Sequence, residues 1–525
     1  MQVAGVAGAL RERFAVVSSW WVTGALAVLA ALLRLPALSR PREFSFDETY
    51  YAKDAFSLLR FGYERAFVDG ANALLLAGRT DVFENRPEFV VHPPLGKWAI
   101  AIGEALFGMN PLGWRMVPAL LGIWAVVLVH RIMLRLSGSL MTAALAGLFM
   151  AIDGLAIVLS RTALLDQMLM FFVVATFWAL LRDRDQYAHT LTLREYDVPT
   201  APWRLLRPWR LLAIALIAAA VASKWSGLWF ALTFAVVALL WDLQLRRDHG
   251  LPTGQGWLGD LAWVLTAAVL GAGGYLLSWV GWFRSTAAWD RTWSAGPQWL
   301  PQALRALLHY HQEALQFHTN LTTDHPYKAA PYWWPLMLRP TSFSYDTAKV
   351  GQQGCRVSSC SAEVLALGNV VLWWLASLTM LALLGFAVAR LLRIDSSAGS
   401  RIRWDIAWPL LAAVGAGWLP WIYWHNRTTF SFYSIAFAPF MFMLAAYGLN
   451  WFSGRRVVVA VEAADAPATP VSQLSRHAVS PARVSIAVVL VLAMVAFSAF
   501  FYPVWTGQQL SYDGWLSRMW LSSWI

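Results

Sequence analysis

Residues 16–51 read VVSSWWVTGALAVLAALLRLPALSRPREFSFDETYY, and this stretch decides the fold: an apolar run over 16–35 leads into two adjacent carboxylates, Asp47 and Glu48. Hydrocarbon cannot solvate charge, so acids placed just beyond such a run imply a task. The rest of the 525 residues agree, being 58% hydrophobic and 14% charged with mean hydropathy +0.50, a membrane composition. Thirty-two tryptophans add to this, because the indole ring suits the membrane–water interface. The net charge of +11 comes almost wholly from arginines between apolar segments, which reads as topology and not as a nucleic-acid patch.

About eleven apolar segments follow, each near the ~20 residues that span a bilayer. They run over 16–35, 113–134, 140–159, 162–181, 209–222, 225–241, 259–281, 363–389, 406–424, 431–450 and 485–503. The expected fold class is therefore an all-α polytopic membrane protein forming a single membrane-embedded domain over 1–525. With Arg11 and Arg13 inside, every Arg-rich connection falls on that side, including Arg131 and Arg135, Arg182 to Arg210, and Arg455 to Arg483. An odd number of spans then puts the C-terminus outside, with Trp515, Trp520 and Trp524 at the interface. A cleaved signal peptide is the alternative for the first segment; its length and the lack of a small-residue cleavage site speak against it. The Ala- and Pro-containing stretch 452–484 reads as a flexible cytoplasmic loop.

Two outer connections are long, 37–112 and 283–362. Each contains an apolar stretch too short to span, Trp98 to Phe107 and Leu304 to Phe317, suited to a surface helix. Cys355 and Cys360 lie in the second connection, on the oxidising side; a disulfide is one reading and two buried free thiols the other. The same topology gathers Asp47, Glu48, His92, Lys97, Arg115, Arg161, Asp166 and Lys224 at one membrane face, with Asp153 in the outer half of a span. Carboxylates beside Arg and Lys suit a substrate with a hydroxyl to deprotonate and a phosphate to hold. Blander readings stand beside this one. Ser45-x-x-Glu48 fits a capping box, which would leave Asp47 the freer acid. Arg115 and Lys224 could be interfacial anchors, and Arg161 with Asp166 reads as an ion pair tying two helix ends. No His/Asp cluster has convincing metal spacing.

Several segments, in order along most of the chain, resemble the protein O-mannosyltransferase family, relatives of the dolichyl-phosphate-mannose–protein mannosyltransferases. They are Phe46-Asp47-Glu48, His92-Pro-Pro-Leu-Gly-Lys97, Gly113-Trp114-Arg115, Ser160-Arg161-Thr162-Ala163-Leu164-Leu165-Asp166 and Ser223-Lys224-Trp225-Ser226-Gly227. His309-Tyr310-His311-Gln312, His325-Pro326-Tyr327 and Trp334-Pro-Leu-Met-Leu-Arg-Pro340 complete the series. The resemblance implies a GT-C glycosyltransferase in a bacterial plasma membrane. Its donor would be polyprenyl-phosphate-mannose and its acceptors Ser/Thr-containing secreted polypeptides, including during translocation. Eukaryotic relatives carry a β-trefoil MIR domain in the second outer loop; 283–362 is too short to hold one.

On this basis Asp47 is expected to be the general base, Glu48 to orient it, and Arg115 and Lys224 to stabilise the departing lipid phosphate, with inversion at the anomeric carbon. Arg34, Tyr51, His92, Lys97, Arg161, Asp166 and His325 are further substrate-site candidates. No cofactor or metal is expected to be required, and nucleic acid is not an expected partner. The alternatives are a GT-C transferase acting on a lipid or polysaccharide acceptor and, further off, a transporter, for which the chain lacks related halves and clear midplane charge.

Overall fold

In lipid every backbone N–H and C=O must find a partner within its own segment, so a chain this apolar folds as helices. The structure, a computed structural model, describes residues 2–194, 206–251, 256–394, 398–454 and 480–525. Helix α1 (Gln2–Arg34) leads into a first connection that contains α2 (Glu48–Phe61), β1 (Arg65–Phe67), α3 (Ala71–Leu76), β2 (Phe83–Pro87) and α4 (Leu95–Phe107). The bundle continues through α5 (Pro111–Ser137), α6 (Leu140–Ile152), α7 (Gly154–Ser160), α8 (Leu165–Arg194), α9 (Pro208–Ser223), α10 (Gly227–Asp248) and α11 (Trp257–Ser278). A second connection holds α12 (Val280–Arg284), α13 (Gln302–Asn320), the 3-10 turn Pro331–Leu336, β3 (Thr341–Lys349) and β4 (Ser359–Ala366). Then come α14 (Val370–Leu391), α15 (Trp404–Tyr423), α16 (Ala438–Ser453), α17 (Pro481–Trp505), β5 (Gln509–Ser511) and α18 (Tyr512–Leu516).

Each expected apolar segment falls on one of these helices, but a count of eleven spans is not established. Among the described residues eight helices are long and apolar enough to cross a membrane: α1, α5, α8, α10, α11, α14, α15 and α17. The bent pair α6–α7 would raise this to nine. Helices α9 and α16 have only 16 residues each, short of the length a full crossing needs. Helix α16 is buried along most of its length, so protein, not lipid, surrounds it. Most of the expected cytoplasmic loop 452–484 lies outside the described residues.

The 59° bend between α6 and α7 falls at Asp153. Its carboxylate caps α7, accepting from the Ala156 N–H at 3.3 Å, and also accepts from the Asn369 N–H at 3.1 Å and Trp373 Nε1 at 3.0 Å. Asp153 thus belongs to the scaffold and not to the outer-face constellation. Next to it only glycine fits, since a Cβ on Gly154 would stand 2.1 Å from the Trp505 ring and 2.3 Å from the Leu367 carbonyl oxygen.

The arginines read as topology signals are also built into the packing. Arg207 and Arg210 both bridge Asp183 and Asp242 at 2.7–2.9 Å, locking α8, α9 and α10 together. In the two long connections short sheets form. β1 pairs with β2, and β4 lies between β3 and β5, all antiparallel. Cys355 and Cys360 are joined in a disulfide beside the β3–β4 turn. Strand β5 returns the end of the chain to this sheet, and that overturns the interfacial role expected for two tryptophans. Trp515 Nε1 donates to Glu363 at 2.6 Å and Trp524 Nε1 to the Met337 carbonyl at 3.1 Å, both rings being buried, while Trp520 alone is exposed. Gly154→Ala should lower stability by about 1–3 kcal/mol through overpacking. Thermal unfolding in detergent measures this, and an unchanged midpoint would show that the bend relaxes freely.

Candidate active site

The site begins with strained backbone. Phe46 has φ 51°, left-handed for a residue with a bulky side chain, a conformation costing about 1–3 kcal/mol unless its surroundings enforce it. Phe343 stacks on its ring at 5.1 Å while Phe430 and Phe432 meet it edge-on at 5.6 Å. Asp47 follows at the N-cap of α2, yet its own side chain makes no capping bond. Capping falls to Glu48, which reaches back to accept from the Ser45 N–H at 2.8 Å as the capping-box spacing predicts. Asp47 is thereby left to Tyr51 and to the charges of Lys224 and Asp166.

Glu48 and Arg115 are both fully buried and bound to each other. Arg115 donates Nε to Glu48 Oε1 at 2.8 Å and Nη2 to Oε2 at 2.6 Å. Its remaining N–H groups go to the carbonyls of Pro41 at 2.7 Å and Glu43 at 2.9 Å and, more weakly, to Leu38 and Ser45 Oγ. Glu48 also accepts from the Ala163 N–H at 2.9 Å. In this arrangement Arg115 has no donor left for a phosphate and Glu48 no oxygen for substrate. The pair carries the loop that presents Asp47.

Asp47 has an unusual electrostatic setting. Burial pushes its carboxyl from 3.8 up to about 7, and the negative charge of Asp166 pushes the same way, while Lys224 and a hydrogen bond from Tyr51 pull it down. A base poised near neutrality is what proton abstraction at physiological pH needs. Lys224 sits on the linker between α9 and α10. Its ammonium meets both oxygens of Asp166 at 2.8 Å and lies 4.2 Å from the centre of the Tyr433 ring. An ammonium has three donors, so this pairing leaves one for a ligand.

Beside Lys224 opens a cavity of about 320 Å³. Its polar end is formed by Lys224, His92, His318 and Arg427, and its walls by Trp225, Trp229, Trp421 and Trp424. Burial and the surrounding cations hold His92 well below the ordinary histidine range, and burial first, then Arg427, takes His318 to about 4. Both rings are therefore neutral at pH 7. His318 Nε2 donates to the Val91 carbonyl at 2.9 Å, which leaves Nδ1 to accept from Arg427 Nη2 at 3.2 Å. Arg427 Nε and His92 Nδ1 are buried with no hydrogen-bond partner among the described residues, a costly state that an anionic guest would relieve at the arginine. Trp225 is fixed by donating Nε1 to the Tyr275 hydroxyl at 3.0 Å, itself 2.6 Å from His311 Nε2.

Of the other expected site residues, Arg34, Arg161 and Lys97 lie elsewhere, whereas His325 and Tyr51 stay near Asp47. Arg34 donates to Ser160 Oγ and to the carbonyls of Ala151 and Met150 at 2.9–3.2 Å, closing the end of α6. Arg161 does not pair with Asp166; it binds the carbonyls of Arg34, Pro36 and Ala37 at 2.6–2.9 Å and fixes the exit from α1. Lys97 is buried against Glu64 and Asp54, inside the first connection. His325 shapes its own turn, its Nδ1 accepting from the Tyr327 N–H at 3.1 Å, and its ring packs on Phe46 and Phe430 next to Asp47. Tyr51 and His92 approach each other at 6.0 Å between ring centres, linking Asp47 to the cavity. Arg427 escaped the sequence reading. Its signal was a cation in the polar interruption between the segments 406–424 and 431–450.

Two stability predictions follow from this geometry. Breaking a buried pair strands the other charge, so Glu48→Gln and Arg115→Ala should each cost about 3–5 kcal/mol, seen as a lower unfolding midpoint and reduced abundance. Asp47 acts oppositely. Its raised pKa means the folded state keeps a proton that the unfolded chain releases, a stabilisation present below pH 3.8 and lost as pH rises to about 7. Asp47→Asn should therefore unfold at progressively higher temperature than the unsubstituted protein between those pH values, then keep that advantage. Parallel melting curves across the range would refute the shift.

Comparison with known proteins places this geometry in a family. A family model described as dolichyl-phosphate-mannose-protein mannosyltransferase matches residues 24–275, and one for the C-terminal four TMM region of protein-O-mannosyltransferase matches residues 303–524. The polyprenol-phosphate-mannose–protein mannosyltransferase of Mycolicibacterium smegmatis (strain MKD8) is 34% identical over 96% of this chain and 93% of its own length. The protein of the same name from Corynebacterium glutamicum is 30% identical over 95% and 92%. In fold, the chain superposes on the S. cerevisiae protein O-mannosyltransferase Pmt1-Pmt2 complex bound to the sugar donor with a TM-score of 0.68 at 13% identity, covering 96% of this chain and 92% of that one. The architecture is thus the expected GT-C fold, and the chain, a multi-pass membrane protein, belongs to the protein mannosyltransferase family that these relatives and both domain models define.

Proposed function

We propose that the protein transfers mannose from polyprenyl-phosphate-mannose to Ser and Thr hydroxyls of secreted or membrane polypeptides. The observation that carries the mechanism is the position of Asp47, poised near neutrality beside the cationic end of a tryptophan-walled cavity. A sugar phosphate on an isoprenoid chain has the matching chemistry, an anion joined to a long apolar tail. End-to-end similarity to proteins named for this donor and for protein acceptors supports the substrate pair over a lipid or polysaccharide acceptor.

Asp47 accepts the hydroxyl proton as the acceptor oxygen attacks the anomeric carbon. The bond from that carbon to the phosphate oxygen breaks, and the departing polyprenyl phosphate gains negative charge beside Lys224. Arg427 is the second cation at that position, in the role that the sequence reading gave to Arg115. Fixed cations in a water-poor site stabilise developing charge without reorganising, a role that does not call for a metal. Attack opposite the leaving group inverts the centre, from a β-linked donor to an α-linked product. Asp166 holds the Lys224 ammonium in place, and Glu48 with Arg115 holds the loop of Asp47.

We assign the reaction to the extracytoplasmic face of a bacterial plasma membrane, with the N-terminus cytoplasmic. The supporting argument is that the arginine-rich connections all fall on the opposite side. In this reading both long connections, 37–112 and 283–362, form one outer layer over a single membrane domain, and acceptors arrive as they emerge from translocation.

Membranes containing the protein, labelled polyprenyl-phosphate-mannose and a Ser/Thr/Pro-rich secreted peptide test this directly. The unsubstituted protein should transfer label, and Asp47→Asn at equal abundance should lose about 10²–10⁴-fold. Full activity in Asp47→Asn would remove it as base; no transfer by the unsubstituted protein, with an active control enzyme, would point to another sugar or acceptor. The rate should rise with pH through an apparent pKa near 7, as Asp47 loses its proton. Lys224→Ala and Arg427→Ala should each lower kcat about 10²–10³-fold. The unfolding midpoint should be largely kept in Arg427→Ala, whereas Lys224→Ala also strands the buried Asp166 and should lower it. Arg427→Ala at full rate would exclude it from the phosphate site.

A further inference from the structure

We propose that Asp290, His309 and Glu313 form a binding site for one divalent metal ion of the zinc class, which braces the second outer connection. Asp290 precedes His309 by 19 residues, and the fold brings one ligand atom of each of the three within 4.8 Å of the others. His309 Nε2 lies 3.4 Å from Asp290 Oδ2 and 3.5 Å from Glu313 Oε1. Ordinary N–H···O hydrogen bonds are ~2.7–3.2 Å long, so the imidazole is too distant to bond either acid well. Tetrahedral zinc with ligands at ~2.0–2.1 Å instead sets neighbouring ligand atoms ~3.3–3.4 Å apart, and the two separations from His309 Nε2 lie close to that edge.

The local structure pre-forms the set. His309 and Glu313 stand one helical turn apart on the same side of α13. Asp290 has left-handed backbone with φ 46°, a conformation aspartate tolerates better than most residues. Trp293 stacks on the His309 ring at 4.3 Å and 6°, fixing its plane. Trp289 Nε1 donates to Glu313 Oε2 at 3.3 Å, which turns Oε1 toward His309. Such outer partners are what orient metal ligands in established sites. One imidazole and two carboxylates suit zinc, with a fourth position for water or a further oxygen.

The location assigns a structural role. Glu313 lines a separate cavity with Phe89 and Trp289, whereas His311 and His318, further along α13, support and line the donor cavity. An ion at Asp290, His309 and Glu313 would pin the loop before α13 to the helix and so hold that wall in place.

The test uses the purified full-length protein in detergent, with its affinity tag removed and metals stripped by chelator. Calorimetric titration with Zn²⁺ should show one equivalent bound, and Co²⁺ should give the visible absorption of a four- or five-coordinate site. Zinc should raise the unfolding midpoint. His309→Gln and Glu313→Gln should abolish the Co²⁺ absorption and the midpoint shift, and Asp290→Asn should weaken zinc at least tenfold. Absence of stoichiometric binding by the unsubstituted protein would overturn the site and leave His309 merely a neighbour of two acids. Unchanged binding in both His309→Gln and Glu313→Gln would overturn it equally. Because the first arm needs no variant, misfolding of a substituted protein cannot mask the result.

Discussion

The buried pair of Glu48 and Arg115 is the constraint from which the active face follows. Stripping water from two ions is repaid only if every donor and acceptor is used, and here the guanidinium binds one carboxylate and the carbonyls of the preceding loop. That single residue of α5 therefore fixes the path of 38–45 and starts α2 through Glu48, which in turn accepts from the Ala163 N–H just before α8. Between those fixed points Phe46 takes left-handed backbone, and the strained turn sets Asp47 beside Tyr51, Lys224 and Asp166. Neighbouring acids end with opposite fates because one is fully compensated and the other is not.

The same logic recurs around the bundle. Arg34, Arg161 and Lys97 are buried cations whose partners are carbonyls or acids of the scaffold, each closing a helix end or a loop. Lys224 and Arg427 differ in keeping donor capacity toward a cavity. Charge at the membrane boundary thus serves two ends here, and unspent hydrogen-bonding capacity is what separates them.

This separation explains how much was readable from sequence. The helical class, the two long connections and the convergence of Asp47, His92, Asp166 and Lys224 follow from hydropathy and arginine placement, which act through the membrane and need no tertiary detail. The roles expected for Arg115, Arg34 and Arg161 do not, because pattern shows that a cation lies at a boundary but not which way it turns. Arg427 sits in a short polar break whose importance appears only when α13 brings His318 against it. Helices α9 and α16 are too short by length alone, and whether a short apolar helix crosses lipid or hides within protein is a matter of its neighbours.

The tryptophan walls of the cavity have a kinetic consequence. On our reading, a guest with an isoprenoid tail reaches Lys224 by sideways diffusion within the bilayer and never as a free solute. Its supply is then set by molecules per unit area, and saturation depends on the lipid-to-protein ratio. Dilution into micelles would lower the apparent affinity without altering one contact in the site.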